Sequence, residues 1–461
     1  MKALRDPDRL LAEGLAAIRV QFQVPEGFPP EVEAAAEAAA RRSPSEHADR
    51  TAMPFVTLDP ASSTDLDQAF TIEPSGTDLL LHYAIADVAW FVRDGDPLDQ
   101  EAWRRGTTLY LPDGKASLYP PVLSQGAASL LPDGPRPAVV FTVRVASDGA
   151  VKLDGAARAM IRSRAKLAYA TVRDDQLPAG FAELAARVAG AEDRRGAARV
   201  DPPEQEVEAE GGGRYTLRFR PRAVAEDRNA AMSLATNMAV ADVLQAAGTG
   251  LFRVMAEPDE WALRRLRFTA RAFGLEWPSE LPLDQFEKQL DRSDPAQAAF
   301  MLAVRRAGQG AAYVPFRSGE RPWHAAMAAT YAHATAPLRR LADRYVVQAI
   351  LAVANGQAVP LAAREAFDAL PAVMAKAAVR DGQVERAVVD LAEAAVLAGR
   401  EGEVFEAIVT DLGEKGARIQ LCDLPIVART VARKVVPGER LEVRLDAADP
   451  VRRAVAFSRV R

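Results

Sequence analysis

The spacing of apolar residues changes character along the 461-residue chain, and those changes constrain its fold more than any other feature. Leu10, Leu11, Leu15 and Ile18 form one helical stripe, and Val32 to Arg42 continue as an alanine-rich helix beyond a break at Pro25, Gly27, Pro29 and Pro30. From Pro54 the runs become short and β-rich: Phe55–Leu58, Ala69–Ile72, Leu79–Ile85, Val139–Val145 and Arg214–Arg220. Helical spacing dominates from Ala230 to Gly274 and from Pro337 to Ala398. The chain then returns to strands over Val404–Thr410, Ala417–Leu421, Ile426–Ala432, Arg440–Leu445 and Ala454–Arg459. Five short strands in so short a tail suit a small OB-fold barrel. The expected class is α+β in three parts: a helical N-terminal unit (1–50), a mixed body (51–398) and a C-terminal β-barrel (399–461).

The composition is that of a globular protein, with 49% hydrophobic and 26% charged residues. No apolar run reaches 18 residues, so no membrane span is expected. Met1-Lys2-Ala3-Leu4-Arg5-Asp6 is followed by no apolar signal-peptide core, and the sole cysteine, Cys422, excludes an intrachain disulfide. A reducing, cytoplasmic setting is the expectation. The net charge of −5 does not by itself point to nucleic acid, so any such contact must come from local basic patches. Gly211-Gly212-Gly213 after the acidic stretch Glu204–Glu210 reads as a hairpin loop, since no strand–glycine–helix context supports a phosphate cradle.

The most informative segment runs from Thr57 to Phe70 and holds Asp59, Asp65 and Asp67 between two strand-like runs. In extended chain Asp65 and Asp67 point the same way, and a loop of Ser and Thr could fold Asp59 back beside them. Three converging carboxylates repel one another, and a hard divalent cation removes the conflict. The alternative is an Asp/Ser/Thr turn that caps its own backbone. An EF-hand fails on spacing, because Phe70 or Gly76 stands where the final glutamate is required.

These residues resemble the catalytic signature of the ribonuclease II (RNB) family, with Thr57, Leu58 and Ala69 flanking it. Further blocks follow in the same order: Ala84–Val88, Arg105–Pro112, Leu123-Ser124, Ser129-Leu130, Arg136, Ser163–Tyr169, Tyr331–Asp343 and Val384–Arg386. The resemblance covers residues 51 to 461 and implies an RNB catalytic domain with an S1-type OB-fold behind it. The implied activity is processive 3′-to-5′ hydrolysis of single-stranded RNA to 5′-nucleoside monophosphates with Mg2+, Mn2+ being the other suitable hard cation. A monomer is expected.

By that resemblance Asp59, Asp65, Asp67 and Gln68 form the metal site, with Asp67 and Arg339 as the catalytic pair. The family carries a fourth aspartate where this chain has Gln68, whose amide oxygen can ligate a metal but brings no charge. Arg339, placed in a first helical turn after Pro337, would hold the scissile phosphate. Arg340 is a second RNA-binding candidate, and Arg344 could line the same side one turn later. Tyr110 would stack on a base and Glu385 would touch the 3′-terminal nucleotide. Tyr119 reads as a packing residue, and His333 reads equally as a family or a structural histidine. Arg162, Arg164 and Lys166 alternate along a predicted strand and would offer a basic face, or a solvated strand edge. In the barrel, Arg418, Arg429, Arg433 and Lys434 could add RNA contacts. Ala230 and Ala231 stand where relatives often have an acidic pair, and Val347 where a histidine is common. Relatives often carry two cold-shock OB-folds before the catalytic domain; about 50 residues are too few for them. Two other functions fit parts of the sequence: an RNA-binding protein that kept the fold without hydrolysis, and a phosphoesterase for small nucleotides.

Overall fold

The computed structural model describes residues 3–5, 10–197, 204–211, 214–220, 222–291, 294–308, 310–413, 416–432 and 435–460. Met1, Lys2, Asp6, Gly212, Gly213, Arg433 and Lys434, singled out above, lie outside them.

The main body is built on a five-stranded sheet, ordered Ala48–Asp49, Val151–Ile161, Arg136–Val145, Asp78–Ala86 and Gln68–Ser75. All its pairings are antiparallel except that of the short first strand. A two-residue turn at Gly76-Thr77 joins the last two strands, and Gly76 supplies the positive φ (62°) such turns need. Helices Phe181–Arg194, Val224–Ala246 and Leu341–Ala354 pack on the sheet and complete its core. Phe70, Tyr83 and Phe141 are fully buried there, each contributing about 1.5–3 kcal/mol by leaving water.

The long helix Leu361–Leu397 joins the main body to the rest of the molecule. Ala363, Ala366, Phe367, Leu370 and Met374 sit in the main core. Val384, Ala387, Val388 and Leu391 enter a second core, with Leu11, Leu15 and Ile18 of the N-terminal helix Leu10–Gln21 and with Leu109 and Leu111. Ala392 and Leu397 enter the core of the barrel. Gly14 lets the N-terminal helix close on this rod, because a Cβ there would lie 2.6 Å from the Leu391 methyls.

The barrel closes from Val404–Gly413, Gly416–Leu421, Val427–Val431, Ala454–Arg459 and Arg440–Asp449, in that order around the ring. Its five strands are those expected from the sequence. Glu204–Gly211 and Arg214–Arg220 pair as the expected hairpin.

Several expectations are corrected. The two N-terminal helices exist, but they share no core of their own: Leu10–Gln21 joins the long helix, while Val32, Ala36 and Ala39 of Pro30–Ala40 join the main core. The region of helical spacing over 230–274 holds two helices, Val224–Ala246 and Glu260–Ala272, and between them an unforeseen strand, Leu251–Met255. Gly248 and Gly250 end the first helix, and Leu251 and Phe252 bury both faces of a strand paired with Ala311–Pro315. The helical region over 337–398 begins at Leu341 and consists of two helices, Leu341–Ala354 and Leu361–Leu397. Val151–Ile161 is an unforeseen strand. Arg162, Arg164 and Lys166 do not share one strand, since the chain leaves regular structure after Ile161 and resumes at Lys166.

Glu287 ends the short helix Leu283–Glu287 in an aromatic cluster with Phe286 and Phe300, and neither of its carboxylate oxygens has a hydrogen-bond partner among the described residues. Burial, aided by nearby Asp284, pushes its carboxyl up to about 8. The folded chain therefore retains a proton that the unfolded chain, near 4.5, releases. Stability falls as pH rises between those values and then levels. Glu287→Gln is expected to flatten this decline in urea melts run from pH 5 to pH 8; an unchanged slope would contradict the assignment.

Candidate active site

Asp59 ends the strand Thr57–Asp59, and Asp67 immediately precedes the strand Gln68–Ser75. The intervening loop returns the chain so that Asp59, Asp65 and Asp67 line one cavity of about 1020 Å³. Tyr110, Lys115, Arg339 and Glu385 line it too.

Asp67 is buried at the back. Its Oδ1 accepts the Leu338 backbone N–H at 2.7 Å, and its Oδ2 lies 3.3 Å from Arg339 Nε. Burial still outweighs these contacts and pushes the carboxyl up to about 8. Asp59 is likewise raised to about 7, first by burial, with Asp65 adding to the rise and Arg339 and Lys166 opposing it. Its Oδ2 is buried with no hydrogen-bond partner among the described residues. Asp65 is held differently: Lys115 Nζ is 2.5 Å from Oδ1, and the Tyr110 hydroxyl donates to Oδ2 at 2.8 Å. Tyr110 and Lys115 face each other across the hairpin Leu109–Leu111/Gly114–Ala116.

Arg339 is not in a helical turn. It lies in the turn before Arg340, the N-cap residue of Leu341–Ala354. Its backbone carbonyl accepts from Thr108 N–H (3.0 Å) and Thr107 Oγ1 (2.8 Å), which ties this turn to the segment leading into the Tyr110 hairpin. The guanidinium remains partly exposed to the cavity. Arg340 points away and makes a two-pronged pair with Asp343 (2.9 and 2.7 Å), so it supports the turn rather than RNA. Arg344 is fully buried among Asp99, Tyr119 and Tyr345 and does not line this cavity. His333 is a structural residue, its Nδ1 2.7 Å from the Tyr313 hydroxyl, and burial lowers its pKa far below the usual imidazole range.

Gln68 faces the cavity wall, where its Oε1 accepts from the Tyr83 hydroxyl and from Ser233 Oγ at 3.2 Å. With both acceptor directions used, it is not arranged as a fourth ligand. Lys166 donates to the Ala61 carbonyl at 2.9 Å, on the loop between Asp59 and Asp65, and Arg164 to the Thr51 and Ala52 carbonyls at 3.1 and 3.2 Å. Both stiffen the surroundings and neither lines the cavity.

Sequence reasoning missed Lys115, Tyr169, Asn229 and Ser233. The Asn229 amide donates to the Tyr169 hydroxyl at 2.9 Å beside Asp59. The matched block Ser163–Tyr169 was the available signal for Tyr169; Lys115 carried none.

Among the described residues no three acidic, imidazole or thiol side chains stand close enough to hold a metal ion as placed. The donor chemistry nevertheless fits a hard divalent cation. Two raised carboxyls, one with an orphaned buried oxygen, face a third carboxylate whose partner is a lysine ammonium, and a cation would relieve all three.

Residues 48–356 match the RNB domain, and residues 403–460 match the RNase II-type exonuclease C-terminal S1 domain. The chain belongs to the RNB family. Among its relatives, Ribonuclease R of Thermotoga maritima is 27% identical over 398 residues, covering 80% of this chain and 55% of the relative. Exoribonuclease 2 of Cronobacter sakazakii is 30% identical over 404 residues, covering 82% and 62%. The RNB chain described here thus spans between about half and three fifths of these relatives' length. The fold is shared with Mycoplasma genitalium RNase R in complex with ribose-methylated single-stranded RNA (TM-score 0.85, 20% identity, 100% of this chain and 79% of that one). It is also shared with yeast Ssd1, described as a pseudonuclease (TM-score 0.69, 16% identity, 96% and 57%).

Replacing the neutral amide by Gln68→Asp adds one carboxylate beside the other three, and Mg2+ affinity measured by calorimetry is expected to rise about tenfold, because affinity tracks ligand charge. Unchanged affinity would show that position 68 lies outside the ion's reach.

Proposed function

We propose that the chain hydrolyses single-stranded RNA processively from its 3′ end, releasing 5′-nucleoside monophosphates with Mg2+ as cofactor, Mn2+ being the alternative. It would act as a cytoplasmic monomer, folded as a helical N-terminal segment (1–50), a catalytic domain (51–398) and an S1-type barrel (399–461). The observation that carries this reading is the contact of Asp67 with Arg339 at the back of the cavity, 3.3 Å apart, next to Asp59. A carboxylate that can share a cation beside a guanidinium that can take a phosphate is the pairing phosphodiester hydrolysis needs.

In this reading Asp59, Asp65 and Asp67 would hold Mg2+, which would supply Lewis acidity and help ionise water. Asp65, paired with Lys115 in this structure, would complete that set of carboxylates, and the Lys115 ammonium beside it would offer a donor to a phosphate oxygen. Arg339 binds the non-bridging oxygens of the scissile phosphate and neutralises the charge that grows there. Water adds to phosphorus, the bond to the upstream 3′-oxygen breaks, and that oxygen takes a proton from solvent. The released nucleotide carries its phosphate on the 5′-oxygen. Tyr110, half exposed, offers its ring for stacking, its hydroxyl anchored on Asp65. Glu385, which also lines the cavity, accepts hydrogen bonds from the terminal ribose hydroxyls, which distinguishes RNA from DNA.

A second reading, RNA binding without hydrolysis, draws on the engaged Gln68 oxygen. One assay separates the two. With 5′-labelled single-stranded RNA and Mg2+, the native protein is expected to shorten the label to a small end product without accumulating intermediates. Asp67→Asn is expected to slow this by at least about a hundredfold while retaining RNA binding. Binding without shortening by the native protein would favour the second reading, and cleavage of dinucleotides alone would make it a small-substrate phosphoesterase.

A further inference from the structure

A second cavity, about 180 Å³, lies where the barrel meets the long helix. The helix contributes Arg386, Asp390 and Glu393, which share one face at their i, i+4, i+7 spacing. The barrel contributes Arg418, Arg429 and Arg453. Glu385, Val388 and Val389 turn a different face of the same helix to the first cavity.

The charges in this second cavity do not balance. Arg418 and Arg429 are directly paired across adjacent antiparallel strands, an arrangement in which like charges repel. Arg418 is half-buried and faces Arg386, Arg306 and Arg429 as like charges, with Asp411 as the countercharge. Neither Arg418 nor Arg429 makes a side-chain hydrogen bond or ion pair among the described residues. Arg453 reaches in from the turn between the last two strands with its backbone in the left-handed region (φ 53°), uncommon for a residue with a side chain. One of its terminal nitrogens donates to Gln21, and the other is buried with no partner among the described residues. The acids do not compensate. Asp390 is already bound to Arg386 at 2.9 Å. Glu393 is buried, accepts from the Gln205 amide (2.6 Å) and the Val427 N–H (2.7 Å), and is pushed up to about 7. Three guanidiniums are left facing one small space.

We propose that this cavity is a binding site for a phosphate monoester dianion, taken up between Arg418, Arg429 and Arg453. Guanidinium forks match phosphate oxygens, and a dianion answers the excess charge better than a phosphodiester, which carries a single charge. The space, roughly that of six waters, admits one phosphoryl group and its near hydration rather than a run of polymer. The dianion could come from inorganic phosphate or from a nucleoside 5′-monophosphate. The site uses none of the residues assigned to hydrolysis, so it stands independently of that reading.

The test uses the full chain in EDTA, where hydrolysis is suppressed. Inorganic phosphate and adenosine 5′-monophosphate are compared with chloride at matched ionic strength, by thermal unfolding and by calorimetry. At least one of the two is expected to bind and to raise the Tm beyond the chloride control; which one acts identifies the source. Arg429→Gln, at an exposed position, is expected to weaken that binding at least tenfold while raising the Tm of the ligand-free protein, because a like-charge pair is removed. Asp67→Asn is expected to leave the binding unchanged, which separates this site from the first cavity. The proposal is overturned by a Tm rise no larger than chloride gives, by equal binding in Arg429→Gln, or by loss of binding in Asp67→Asn. It is also overturned if phosphate and nucleotide are both inert and Arg429→Gln weakens only a 5′-hydroxyl oligonucleotide, which would mean backbone tracking.

Discussion

The hydrogen bond from the Leu338 N–H to Asp67 Oδ1 joins residues 271 positions apart and fixes the geometry of the whole site. It binds the edge of the central sheet to the turn that carries Arg339. That turn is fixed from its other side by Thr107 and Thr108, which lead into the Tyr110 hairpin, and Tyr110 returns to Asp65. Sheet, turn and hairpin thus form a ring of contacts around the first cavity. A buried carboxylate left without these donors would face the desolvation cost alone. Even with them, Asp67 stays raised to about 8 and Asp59 to about 7. The site is therefore short of positive charge, which is the condition a divalent cation meets.

The long helix Leu361–Leu397 organises everything outside the main sheet. At 37 residues it is about 55 Å long, and its successive apolar faces enter three different cores. The N-terminal helix, the Tyr110 hairpin and the barrel are all referred to the same rod. The hairpin that brings Tyr110 to Asp65 rests on the same apolar cluster as Leu11, Leu15 and Ile18. The N-terminal helix therefore buttresses the site rather than forming a module beside it. The two cavities lie on different faces of this helix, so ligands in them would be read by one rigid element.

How much of this was legible in the sequence depended on the range over which each feature is encoded. The barrel strands and the Gln68–Ser75 and Asp78–Ala86 strands were legible because alternation and turn residues are local signals. Val151–Ile161 was not, since Asp154, Gly155 and three alanines dilute its alternation and only its neighbours in the sheet define it. The aspartate trio was legible as a cluster, and the family motifs located Arg339. The withdrawal of Arg340 from the cavity was not, because it depends on a turn that aims its guanidinium at Asp343. Arg344 read as a cavity residue, yet Asp99, more than 240 positions away, draws it into the core. Lys115 was invisible because its partner lies 50 residues upstream, and the Leu338 N–H because a backbone donor has no sequence signature.

We propose that three aspartates gather one hard cation beside Arg339 where RNA is cut. The most direct measurement is the anomalous difference density of a crystal grown with Mn2+ and a short oligoribonucleotide. A peak is expected within coordination distance of Asp59, Asp65 and Asp67, with Lys115 displaced from Asp65 and a phosphate against the Arg339 guanidinium. Density elsewhere, or an Asp65–Lys115 pair that persists with no ion between the carboxylates, would contradict it.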